Sequence, residues 1–268
     1  MANMCRITKT NKIQNTKQNL YFMSTLTLQN PISNSYKPVK NLLSEGSTNI
    51  KTAKNSLKTY ILYLAPANIV DGLNLCPFAS NGCKKACLYS AGRGKFSNVQ
   101  LSRINKTKFW GYNREAFYIQ LANELMTILD KTIKTGEQIA IRLNGTSDID
   151  HIDLLNRYTG INFLDPFYSS LLFYDYTKNY NHIRKYKGTN YKITFSRSEV
   201  NELDAYRTLK DGGNIAIVFK DQLPEYWNGF PVINGDETDL RYFDPVNVVI
   251  GLKAKGDAKK DKTGFVVS

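Results

Sequence analysis

Three of the chain's four cysteines, Cys76, Cys83 and Cys87, fall in the stretch Leu75 to Gly94, with six and then three residues between them. Pro77 and Gly82 let the backbone turn, so several sulfurs can face one centre. Thiolates are soft donors that suit zinc or an iron–sulfur cluster. A closed structural zinc site needs a fourth protein ligand, and the other candidates, Cys5, His151 and His182, lie far off in the chain. A cluster can be held by three cysteines with one iron open to a small molecule, although four protein ligands are commoner. The ligand arithmetic leans toward an iron–sulfur cluster with an open iron, with zinc as the alternative. A disulfide between two of the three, or packing of the cysteines as small apolar groups, is the structural reading that competes.

Other chemistries find less support. His151 and His182 are the only histidines and offer no pair for nucleophilic catalysis. No serine or cysteine stands in a nucleophile elbow, and the glycine motifs that cradle phosphates or dinucleotides are absent. Hydrolase and nucleotide-dependent transferase readings are therefore weak.

Lysine and arginine outnumber aspartate and glutamate by 36 to 23, for a formal net charge of +13. That balance favours an anionic partner, a nucleotide or nucleic acid, although usage rich in Lys, Asn, Ile and Tyr also reflects an AT-rich genome. No apolar run approaches the roughly 20 residues that span a bilayer, so we expect no membrane. Bunched cysteines do not resemble a secreted disulfide framework, and a cytoplasmic protein is expected. If the source is viral, the host cytoplasm is expected.

The elements that must position the cysteines can be read in order. Residues 1–22 are polar and acid-free and are expected to form a disordered tail, leaving 23–268 as a single α/β domain. Residues 24–58 carry turn signals and are expected to wrap that domain. The run from Thr59 to Ala65 is a buried-strand pattern that leads directly into the cysteine loop. A helix is predicted from Val99, and another from Asn113 to Lys134, where Phe117, Leu121, Leu125, Ile128 and Leu129 recur at helical spacing before Gly136. Five further strands are predicted at 138–143, 171–176, 191–195, 214–219 and 246–252. Helices are predicted between them at 149–158, 179–186 and 198–209, with a shorter one near 223–227. The segment 230–244 is irregular, with a short strand at 231–233 and an internally paired turn around Arg241. Alternating strands and helices predict six parallel units in an α/β layer or a partial (β/α)6 barrel.

Ligands of parallel α/β folds bind beyond the carboxyl ends of the strands. Those ends gather Cys76, Cys83 and Cys87, then Asn144, Gly145, Thr146, Ser147 and Asp148, then Lys178, Arg197, Lys253 and Lys255. The 144–148 loop suits an amino group or a ribose, and equally suits capping of the next helix. The basic residues suit a carboxylate or phosphate. Arg103 and Lys106 follow the cysteines and could offset a cluster's charge or meet a nucleic-acid backbone.

These residues carry a resemblance. Cys76-Pro-x5-Cys-x3-Cys87-Leu-Tyr, Gln100-x-x-Arg-x-x-Lys-Thr107, Phe173-Tyr-Asp-Tyr-Thr-Lys178, Gly235-Asp-x-x-Asp-x-Arg241 and Gly251-Leu-Lys-Ala-Lys-Gly256 resemble a family of phage-encoded proteins labelled as numbered gene products, from about residue 50 onward. More loosely, six β/α units with three cysteines after the first strand resemble the partial barrel of radical S-adenosylmethionine enzymes. That likeness implies Cys76, Cys83 and Cys87 as ligands of a four-iron, four-sulfur cluster, an open iron that takes S-adenosylmethionine, an electron donor, and Gly145 near the methionine amino group. The spacing departs from that superfamily, which has three and then two residues between its cysteines.

Overall fold

The computed structural model describes residues 36–46, 52–90 and 92–268. The expected tail at 1–22, and with it Cys5, lies outside the described residues. All described strands join one mixed sheet of ten strands, in the order β1-β2-β3-β4-β5-β6-β9-β8-β7, with β10 also on β6. The strands are β1 (Leu43–Glu45), β2 (Thr59–Leu62), β3 (Ile139–Arg142), β4 (Leu171–Thr177), β5 (Lys192–Ser196), β6 (Asn214–Phe219), β7 (Tyr226–Trp227), β8 (Phe230–Asn234), β9 (Val249–Lys253) and β10 (Val266–Val267).

Strands β2 to β6 and then β9 lie side by side in chain order and are parallel throughout. Their residues are apolar on both faces because both faces are covered: in β4 every residue but Tyr176 is buried. The sheet is open. At one edge β1 pairs antiparallel with β2, and at the other the β7–β8 hairpin adds to β9. The architecture is thus mixed α/β with a mostly parallel, unclosed sheet.

Helices fill the first four parallel crossovers. They are α1 (Asn81–Lys85), α2 (Ser97–Tyr112) and α3 (Arg114–Thr135) between β2 and β3, α4 (His151–Thr159), α5 (Tyr180–Lys185) and α6 (Glu202–Lys210). Helix α3 starts where the Asn113 side chain accepts from the Ala116 amide and stops at Gly136, whose φ of 75° is the left-handed conformation that glycine adopts freely. Its predicted stripe is the buried one: Phe117, Leu121, Leu125, Ile128 and Leu129 pack with Leu62, Ile141 and Phe173 of the sheet. Helix α6 covers the second half of the same face, with Ala205 and Leu209 against Phe195, Ile215, Ile217 and Val249.

Two expectations need correction. The segment before residue 59 contributes the edge strand β1, too short to show a period. The fifth link carries no helix near 223–227; it is the β7–β8 hairpin, turned by Asn228 and Gly229 at φ of 49° and 82°. Asn-Gly is the pair that this tight turn demands, and it closes two antiparallel strands where a short helix is expected. Six strand–helix units are therefore four crossovers with helices and one with a hairpin. The irregular segment after β8 lies on the face opposite the helices, where Leu240 packs on Ala140 and Tyr174.

Candidate functional site

The cysteine segment leaves β2 at the carboxyl end of the parallel strands and is stitched to the loop after β3. The Gly145 amide donates to the Leu62 carbonyl at 3.0 Å, the Asp148 amide to Leu75 at 2.8 Å, and the Thr146 hydroxyl to Leu64 at 2.5 Å. Cys76 closes the seam with its thiol 3.7 Å from the Thr146 carbonyl. The side chain of Tyr63 fills the space above Gly145, where a Cβ would stand 2.6 Å from its ring. The loops after the first two parallel strands are therefore one unit.

Cys83 rides on the short helix α1, capped by the Ser80 hydroxyl 3.1 Å from the Cys83 amide. A carboxylate from beyond the carboxyl end of a central strand anchors that helix. Glu199, just beyond β5, accepts from the Ser80 hydroxyl at 2.7 Å and the Gly82 amide at 2.8 Å. Burial pushes the Glu199 carboxyl up, but these two hydrogen bonds outweigh it and hold it below the usual range. Gly82 has no room for a side chain: an added Cβ would stand 2.2 Å from Thr263 Oγ1 and 2.6 Å from Phe265 Cβ. The C-terminal segment thus seats α1, and Arg197 seats the C-terminal segment by donating to the Gly264 and Phe265 carbonyls.

None of the three cysteines forms a disulfide, and all are half-buried. They lie within electrostatic reach of one another. Burial pushes the Cys76 thiol up to about 12, and Asp148, Cys87 and Cys83 add to the rise. Burial raises Cys87 as well; Cys83 adds to this, while Lys178 and Arg103 pull it back down. Among the described residues, no three or more His, Cys, Asp or Glu side chains gather as the ligands of a single metal ion would.

Most of the other expected site residues are already occupied within the protein. The Asn144 side chain accepts from Ser147 and the Ile149 amide and donates to the Ile149 carbonyl, so it braces its own loop. Asp148 is buried and accepts from the Thr177 hydroxyl at 2.6 Å and the Lys178 amide at 2.8 Å, which leaves it facing Cys76. The cap of α4 is Asp150, not Asp148. Lys178 donates to Ser196 at 2.7 Å and lies 5.6 Å from the Phe265 ring. Arg197 also pairs with Glu202 at 2.6 Å. Lys253 and Lys255 meet at Asp236, which takes the Lys253 amide and the Lys255 ammonium. The structure therefore brings together Cys76, Cys83, Cys87, the 144–148 loop and Lys178, and engages Arg197, Lys253 and Lys255 elsewhere. Around Arg241 the expected paired turn is present as its 3.2 Å contact with Asp244, whereas Asp239 pairs outward with Arg142 at 2.8 Å.

Two residues that no motif marked, Glu199 and Tyr63, complete the surroundings with Tyr89, which ends the Cys-x3-Cys-Leu-Tyr pattern. Glu199 is the anchor of α1, Tyr63 packs on Gly145, and Tyr89 lies with Arg103 beside Cys87. The position of Glu199 after a strand is its only signal in the sequence; nothing marks Tyr63.

The family model described as Gene product 88 matches residues 40–268. No curated protein and no solved structure matches the chain.

Proposed function

We propose a function for a chain that belongs to the Gene product 88 family: it is an iron–sulfur protein. Cys76, Cys83 and Cys87 hold a four-iron, four-sulfur cluster whose open iron takes S-adenosylmethionine, for chemistry on a nucleotide or nucleic acid. The expected kinship with phage gene products agrees with the family match. The observation that carries the reading is the convergence of three thiols at the carboxyl end of parallel strands, where Cys83 and Cys87 push the Cys76 thiol up and Cys83 pushes up that of Cys87. In a cubane each thiolate would bind a different iron, so the three sulfurs need not meet at one ion. When bound, the cluster would supply the single electron that cleaves a sulfonium.

The chain's own residues do the remaining work. Arg103 and Lys178 offset negative charge beside Cys87. Glu199 and the C-terminal segment fix Cys83 through α1, and the Thr146 carbonyl fixes Cys76. Asp148 holds the loop after β4 against the cysteine loop. Anaerobically reconstituted protein should cleave S-adenosylmethionine to methionine and 5′-deoxyadenosine when reduced. Cluster-loaded protein that leaves the cofactor intact under every reductant would refute that half of the reading.

A second reading, a non-catalytic zinc- and nucleic-acid-binding protein, draws on the basic excess. Lys84 and Lys85 are exposed on α1, and Lys259, Lys260 and Lys262 are exposed on the segment that seats it. It predicts binding to nucleic acid that weakens steeply as salt rises, because phosphate neutralisation releases counterions. Salt-independent binding would contradict it.

A further inference from the structure

The guanidinium of Arg103, on α2, is held between two rings. It lies 4.7 Å from the centroid of Tyr63 and 5.7 Å from that of Tyr89. Among the described residues it has no carboxylate partner, and its Nη1 is buried without a hydrogen bond. The hydroxyl of Tyr89 is likewise buried and unbonded, on a residue only 8% exposed. Two orphaned donors in one place are costly, since each forfeits its hydrogen bonds to water with no replacement. A planar guanidinium and a phenol hydroxyl have their natural shared acceptor in an oxyanion. The place is also informative: Tyr63 covers Gly145, and Arg103 faces Cys87.

We propose that Arg103 and Tyr89 form an oxyanion subsite beside the cysteines, where a phosphate or carboxylate of the substrate is received. Arg103 Nη1 and Tyr89 Oη donate to the anion, and Tyr63 holds the guanidinium flat behind it. The subsite deepens the function proposed above by naming the charge of its ligand. It does not depend on the cluster, because the orphaned atoms belong to the protein alone.

Equilibrium dialysis of cluster-free, full-length protein against radiolabelled inorganic phosphate, with acetate as competitor, separates the two sources. Saturable binding of one phosphate per chain is expected, weakened roughly tenfold by Tyr89→Phe, which deletes only the hydroxyl. Arg103→Gln should abolish it, with near-ultraviolet circular dichroism of both variants unchanged. Displacement by acetate at comparable concentration would assign the site to carboxylates; resistance to acetate would assign it to phosphates. Absent saturable binding, or binding unchanged in Tyr89→Phe, would overturn the proposal, whatever the iron content of the protein proves to be.

Discussion

At the scale of single residues, the chemistry of this protein separates into groups that the fold consumes and groups that it leaves available. Asn144, Ser147 and Arg197 are consumed, their hydrogen bonds spent on neighbouring backbone and side chains. Cys83 forms no disulfide, and Cys83→Ala should abolish the broad visible absorbance of anaerobically reconstituted protein; an unchanged spectrum would remove Cys83 from the ligand set. His151 is a second informative residue. Its Nδ1 meets the Tyr118 hydroxyl at 3.0 Å, it is fully buried, and burial pushes it down to about 3 against the pull of Asp150. A histidine depressed on folding contributes stability that is complete above its unfolded value near 6.5 and is lost as pH falls toward 3. Asp175 runs the other way, since burial raises it to about 6 and its contribution declines as pH climbs from 3.8. The histidine shift is the larger. Urea denaturation of His151→Gln, which keeps an acceptor for Tyr118, should therefore show a flatter acid limb between pH 3 and 6.5 than the parent; an identical limb would mean that His151 is charged in the folded protein.

At the scale of elements, the sequence marked what was long or periodic and missed what was short. Residues 214–219 emerge as a strand with the expected bounds, and the α3 stripe is buried as its spacing required. Strand β1 has three residues and β7 has two, below the length at which any alternation can be seen. The hairpin was nevertheless legible in Asn228-Gly229, and Gly229→Val should cost roughly 1–2 kcal/mol because a β-branched residue resists the left-handed region. Asn228→Gly should be nearly neutral in the same denaturation assay; equal losses would place the cost elsewhere. The site was legible as three sulfurs, but its supports were not. An aspartate or glutamate near a strand end gives no sign of which helix it anchors, and Glu199 reaches α1 across 117 positions. Gly82→Val should unseat α1 from Thr263 and Glu199, lowering the iron retained after reconstitution while far-ultraviolet circular dichroism stays that of the parent. Full retention of iron would show that α1 does not hold Cys83 in place.

At the scale of the whole molecule, parallel strands in chain order bring distant loops to one end of the sheet, and that convergence gives the cysteines their neighbours. The loop after β3 is sewn to the cysteine loop, the loop after β4 brings Lys178, and the loop after β5 brings Glu199. That the chain is α/β with mostly parallel strands was legible because alternating strands and helices admit few other arrangements; the partial barrel was an expectation beyond that, and the sheet is open. The open edges were not, since a hairpin and a three-residue strand end the sheet without a sequence period. No helix among the described residues is long and apolar enough to cross a membrane. The central claim, that three cysteines at this convergence hold an iron–sulfur cluster, is tested most directly by the iron, zinc and acid-labile sulfide content of protein purified without oxygen. The account predicts about four irons and four sulfides per chain, as a cubane requires. One zinc per chain without sulfide would contradict it.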